Sequence, residues 1–157
     1  MPDIQRGPAV VVDLAAIAYT SGDDPTSVDD VEHAQPYEPG IHLVRAIGNA
    51  GFRLVYITTR DEALREATKR WLHRYIGPEW STLLMRGAGD SLRPSEVKAT
   101  LYQRQIAPNY HVVFVIDRLD PLVIDLWKAH GLHCVYVDDA NRQDLIGRSF
   151  ARVLEYS

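Results

Sequence analysis

Apolar runs and amphipathic stretches alternate along the chain. Ala9-Val-Val-Val-Asp-Leu14 is a continuous, mostly β-branched run, the pattern of a strand buried on both faces. Ser21 to Pro36 is polar and acidic and reads as a loop or a flap. Glu38 to Ala50 has helical spacing, with Ile41, Val44 and Ile47 on one side, and Gly51 stops it. Phe52-Arg-Leu-Val-Tyr-Ile57 is the second predicted strand. Glu62 to Ile76 is a helix with Leu64, Ala67, Trp71 and Leu72 as its stripe. Ser81 to Met85 makes a short third strand. Pro94 opens a helix running to about Gln105. His111 to Ile116 is the fourth strand, Pro121 opens a helix carrying Val123, Ile124 and Trp127, and Leu132 to Val137 is the fifth strand. Leu145 to Leu154 reads as a closing helix.

Strands alternating with helices imply right-handed crossovers and a mostly parallel sheet. The expectation is an α/β, three-layer Rossmann-like domain over residues 1–157, with its core at about 9–137 and a C-terminal extension at 138–157. In such sheets the ligand sits beyond the carboxyl ends of the strands. That rule selects Asp13, then Thr58, Thr59 and Arg60, then Arg86, then Asp117. Two carboxylates, two hydroxyls and two guanidiniums at one sheet edge are the makings of a magnesium-phosphate site.

Composition narrows this little further. The 157 residues are 46% hydrophobic and 24% charged, ordinary for a globular domain. The net charge is −4 and the pI about 5.8, so a nucleic acid is expected to be held by a short end rather than along an extended basic surface. Cys134 is the only cysteine, which excludes a disulfide within the chain and fits a reducing cytoplasm. It lies in an apolar run and reads as a buried structural thiol. No signal-peptide core is seen at residues 1–7, and no apolar stretch approaches the ~18 residues of a membrane span.

The motifs also resemble a known family. Val10-Val-Val-Asp-Leu-Ala15 is similar to the first haloacid-dehalogenase (HAD) motif, an apolar strand ending in Asp-x-Asp, and Val55-Tyr-Ile-Thr-Thr-Arg60 to the second. Lys98 suits the third motif and Ile116-Asp117 the fourth. Arg70-Trp-Leu72, Leu84-Met-Arg86, Gly89-Asp90, Arg93-Pro94, Val97-Lys98, Ile106-Ala-Pro108, Val123-Ile-Asp-Leu-Trp127 and Gly131-Leu-His-Cys134 follow in an order that resembles the 3′-phosphatase domain of phage-type polynucleotide kinase. The likeness runs from about Ala9 to Val137. No Gly-x4-Gly-Lys-Ser/Thr run occurs, so the kinase half of such proteins is not expected here.

The resemblance implies a HAD fold with a minimal cap, and a phosphohydrolase acting on a nucleic acid 3′-end or a nucleotide phosphate. Asp13 matches the nucleophile that becomes an aspartyl-phosphate. Magnesium falls to Asp13, the backbone carbonyl of Ala15 and Asp117. Lys98 offsets charge growing on the phosphoryl oxygens. Thr58, Thr59, Arg60 and Arg86 are the expected phosphate contacts.

The sequence also departs from the pattern. Ala15 stands where a second Asp moves the proton, a loss of ~10²–10⁴-fold in rate. Motif four reads Asp117-Arg-Leu-Asp120 rather than Asp-Asp, with Arg118 beside the metal position and Asp120 three residues on. The accounts left open are a slow phosphatase, a non-catalytic binding module on the same scaffold, and related chemistry that needs no acid there.

Plainer readings stand beside these. Asp13 can be a helix N-cap, Lys98 a solvated charge, Thr58 a strand-end hydroxyl serving the backbone, and Arg86 a surface residue. Asp23, Asp24, Asp29 and Asp30 read as a solvated loop, Trp71 and Trp127 as core, and Trp80 as half exposed.

Overall fold

The computed structural model describes residues 7–19, 25–77 and 82–137. Trp80, Asp23, Asp24 and the predicted closing helix at 145–154 lie outside them. β1 (Pro8–Asp13) leads into a 3-10 turn at Leu14–Ala16, and β2 (Ala18–Tyr19) follows. Then come α1 (Val28–Glu32), β3 (Gln35–Pro36), α2 (Glu38–Asn49) and β4 (Arg53–Asp61). After a 3-10 turn at Glu62–Leu64 the chain forms α3 (Arg65–Tyr75) and β5 (Thr82–Arg86). α4 (Pro94–Leu101) widens into a π turn at Tyr102–Ile106, and β6 (His111–Arg118), α5 (Pro121–Ala129) and β7 (Cys134–Val137) complete the order.

Five strands pair in the order β5-β4-β1-β6-β7, and every pair is parallel. From β1 the chain winds outward through β4 to β5, then crosses back to β6 and β7 on the other side. The direction reverses at β1, so the crevice opens at the carboxyl ends of β1 and β6.

The period of two along each strand sorts the core into two layers. Val10, Val12 and Tyr56 pack with Ile41, Val44, Trp71 and Leu72 of α2 and α3. Ala9, Val11, Val55, Ile57 and Val115 pack with Val97, Leu101, Val123 and Trp127 of α4 and α5. Continuous apolar runs are therefore needed, as the sequence pattern has them.

Three boundaries differ from expectation. β4 runs on to Asp61, so Thr58, Thr59 and Arg60 are strand residues; its pairing with β5 shifts register between Thr58 and Asp61. The helix from Pro94 changes pitch at Tyr102. The acidic stretch read as a loop contains α1: Ser27 caps it, accepting from the Asp30 N–H at 3.1 Å, and Asp29 and Asp30 occupy its first turn. Carboxylates there complement the helix dipole. Beside α1, β2 and β3 form a short antiparallel ribbon, which makes the insertion between β1 and α2 a small flap.

Gly40 ties α2 to the turn after β1. A Cβ at that position would lie 2.6 Å from the Ala16 carbonyl oxygen, which is backbone and has little room to yield. Gly40→Ala is expected to destabilise the fold by ~1–3 kcal/mol, the usual cost of overpacking. Urea unfolding checks this, and an unchanged midpoint would show that α2 can shift freely.

Candidate active site

The alternation that sorts the core also aims the site. Asp13 continues the Ala9–Val11 row of β1, and Asp117 continues the Val115 row of β6. Both rows face the layer of α4 and α5. Lys98 sits beside Val97 and one turn before Leu101, the residues that bury α4 in that layer. Its stem therefore enters the core and its ammonium arrives between the two carboxylates.

Lys98 Nζ lies 3.0 Å from Asp13 Oδ2 and 3.1 Å from each oxygen of Asp117. Asp13 and Lys98 are each 5% exposed and Asp117 is 0% exposed. The solvated reading of Lys98 is thus overturned. Asp13 Oδ1 accepts the Ala15 N–H at 2.8 Å, so Asp13 is both the cap of the following turn and a member of the buried cluster. Asp117 Oδ1 accepts the Arg118 N–H at 2.7 Å, and Oδ2 accepts the Trp127 indole N–H at 2.9 Å.

Burial, followed by the charge of Asp13, pushes the Asp117 carboxyl up to about 6, against the pull of Lys98 and the two N–H donors. Burial pulls the other way on Lys98, but the charges of Asp13 and Asp117 and their hydrogen bonds outweigh it. Lys98 is held above the ordinary lysine range and is a fixed cation at any working pH.

Thr58, Thr59 and Arg60 are buried at the end of β4, whose Ile57 pairs with Asp13. Thr58 Oγ1 accepts the Arg60 N–H at 3.2 Å, the role of a strand-end hydroxyl. Arg86, on β5, turns into its own loop. It donates to the Thr59 carbonyl at 2.8 Å, the Asp90 carbonyl at 3.3 Å and the Leu92 carbonyl. Arg86 therefore organises residues 87–92 and links them to β4. Asp120 caps α5 through the Leu122 N–H at 2.8 Å, so it is engaged away from the position of a second motif-four acid.

Trp127 was expected only as core. It is core, but its N–H also orients Asp117. The available signal was that a buried indole requires an acceptor. Cys134 is buried as expected, and burial pushes its thiol up to about 12.

A doubly wound parallel sheet, an Asp ending the first strand and a lysine bridging it to an Asp on the fourth sheet strand in sequence define a HAD-type phosphatase fold. The chain belongs to the family of polynucleotide kinase PNKP phosphatase domains, whose model residues 7–141 match. A chain of the Pnkp1/Rnl/Hen1 complex is similar at 26% identity and a TM-score of 0.77, over 87% of this chain and 47% of that one. A second structure, of the Pnkp1/Rnl/Hen1 RNA repair complex, gives 26% identity, a TM-score of 0.77 and 44% of that chain's length. This chain thus spans less than half the length of those two chains. The class C acid phosphatase from Bacillus anthracis shares the fold at 16% identity and a TM-score of 0.60, over 86% of this chain and 67% of that one.

The triad makes removal of the cation and removal of an anion unequal. Lys98→Met leaves two buried carboxylates facing each other and is expected to cost ~3–5 kcal/mol. Asp13→Asn leaves the Lys98–Asp117 pair intact and should cost a fraction of that; equal losses in denaturant titrations would refute the arrangement. A pH series tests Asp117. Its carboxyl lies at about 6 when folded against 3.8 ordinarily, so its share of stability is complete below 3.8 and is lost as pH rises through about 6. Between pH 4 and 7 the wild-type unfolding midpoint should change less favourably than that of Asp117→Asn, and parallel profiles would contradict this.

Proposed function

We propose that the chain is a phosphatase domain directed at the terminal phosphate of a polynucleotide 3′-end or of a nucleotide, with slowed turnover. The observation that carries this reading is the buried Asp13–Lys98–Asp117 triad at the topological switch point. Lys98 holds one Asp13 oxygen and the Ala15 N–H holds the other, which fixes the carboxylate before substrate arrives. An Asp13 oxygen attacks phosphorus and the ester oxygen leaves, while Lys98 offsets charge on the transferring group. Ala15 has no proton to give, so water must protonate the leaving oxygen. Water then attacks phosphorus of the aspartyl-phosphate, releases inorganic phosphate and frees Asp13. Thr58, Thr59 and Arg60 border the same sheet edge and are proposed to face the phosphate, while Arg86, engaged by three carbonyls, is proposed to hold the loop beside them.

Magnesium suits the donor set. Two buried carboxylates share one ammonium, which leaves the triad with an excess negative charge, and magnesium prefers oxygen ligands and keeps several waters. Asp13, the Ala15 carbonyl and Asp117 would hold it, and it would neutralise phosphoryl charge. Among the described residues no group of three or more His, Cys, Asp or Glu side chains could hold a metal ion, so waters and substrate oxygens would fill the remaining positions. The membership of similar chains in a repair complex supports a role beside protein partners, which this reading includes. No helix among the described residues is long and apolar enough to cross a membrane.

The second reading is a non-catalytic module that binds phosphate ends, favoured by Ala15 and by the full set of donors on Asp117. Restoring the missing acid separates the two. Ala15→Asp is expected to raise phosphate release from a 3′-phosphorylated oligonucleotide by ~10²–10⁴-fold, with magnesium dependence. Asp13→Asn should abolish release in both backgrounds. Release no greater than the Asp13→Asn control, before and after Ala15→Asp, would favour the binding module.

A further inference from the structure

The two faces of the sheet are unequally covered at its β6–β7 end. On one face α5 packs on β6, and Cys134 of β7 is buried there. On the other face Ile116 pairs with Val135 and Arg118 with Val137, so both valines share the side of Ile116. That side is the layer of α2 and α3. Phe114 and Val137 are only partly buried in it, and Val135 is 40% exposed. α2 packs on β4, and its Arg45 donates to the Tyr75 carbonyl of α3. Leu43 lies two residues before Arg45, roughly 200° around the helix. It therefore points away from α3, toward the side where β6 and β7 lie. Leu43 is 44% exposed. Leu43, Phe114, Val135 and Val137 mark an apolar strip left open among the described residues.

Residues 138–157 lie outside the described residues and follow Val137, which is itself part of the strip. Their sequence carries one apolar stripe. Ile146, Phe150, Val153 and Leu154 recur at helical spacing, with Arg148, Arg152 and Glu155 on the opposite side. Asp144, just before the stripe, is a favoured N-cap residue. A helix from Leu145 to Leu154 is about 15 Å long, and β7, at four residues, is about 13 Å. Residues 138–144 reach up to roughly 23 Å when extended, several times the ~4.8 Å between neighbouring strands.

We propose that residues 145–154 form an amphipathic helix that docks on this strip, beside α2 and over β6 and β7. Its Ile146, Phe150, Val153 and Leu154 stripe meets Leu43, Phe114, Val135 and Val137, and both sets of apolar side chains leave water. Covalent attachment selects the occupant. Within one chain a short linker gives an effective concentration on the order of millimolar, which a second copy or a protein partner has to outcompete. Asp117 lies on the other face of β6, so the helix braces from behind the strand that holds the buried triad. The docking is independent of turnover at Asp13.

Hydrogen exchange of the full chain, read by mass spectrometry, tests this. Amides at 146–154 should exchange at least about tenfold slower than in an unstructured chain, and dilution should not change that. Val135→Asp, Leu43→Asp and Phe150→Asp should each remove the protection while the β1 amides keep theirs. Val28→Asp, at a similarly exposed apolar position on α1, should leave it in place. In urea, the midpoint loss of the Val135→Ala, Phe150→Ala double variant should fall short of the sum of the two single losses. That readout holds even where an Asp variant fails to fold. Absence of protection at 146–154, or protection that Val135→Asp and Leu43→Asp leave unchanged, overturns the docking. Additive losses in urea do the same. Protection that falls on dilution assigns the strip to a second copy and overturns docking within the chain.

Discussion

One ammonium between two buried carboxylates is the interaction on which the rest of the site depends. Asp13 and Asp117 are brought to the same side of neighbouring strands by the pleat, and both are almost wholly out of water. Without Lys98 their repulsion and desolvation would force one to take up a proton or the strand ends to part. With it, the triad still holds one charge too many, and the raised Asp117 carboxyl expresses that excess. The fold is therefore poised for a further cation, or for groups that bring one.

The supporting interactions show how that poise is maintained. Trp127 and the Arg118 N–H hold Asp117, and the Ala15 N–H holds Asp13. Gly40 lets α2 approach the turn that contains Ala15 and Ala16 closely enough to fix it. Each is a backbone or packing constraint that acts on a carboxylate, so the geometry of the site is set by the fold and not by the ligand.

Much of this was legible in the residues. The β-branched run ending at Asp13 can only be a strand buried on both faces, and strand–helix alternation then dictates a parallel sheet with its crevice at the carboxyl ends. What a linear pattern cannot express is competition for the same atoms. Asp13 is open in sequence to being a cap or a nucleophile, and capping does not withdraw it from the buried cluster, because one oxygen accepts the Ala15 N–H and the other meets Lys98. Asp120 is drawn to the N-terminus of α5, where a cap is needed. Arg86 finds three carbonyls of nearby backbone. The acidic stretch at 21–36 reads in sequence as a loop or a flap, because α1 buries only Val31, too little for a stripe. Its Ser27 cap and first-turn carboxylates were the local signal that composition masked.

Ala15, where the family pattern has a second Asp, bears on how this cluster is held. An Asp at that position would add a third carboxylate to a triad already in excess by one charge. Its absence removes a proton carrier but also relieves a like-charge burden on Asp13 and Asp117. Ala15 thus makes the buried cluster easier to hold without a metal. The scaffold then keeps Asp13, Lys98 and Asp117 preorganised without having to bury a third carboxylate beside them.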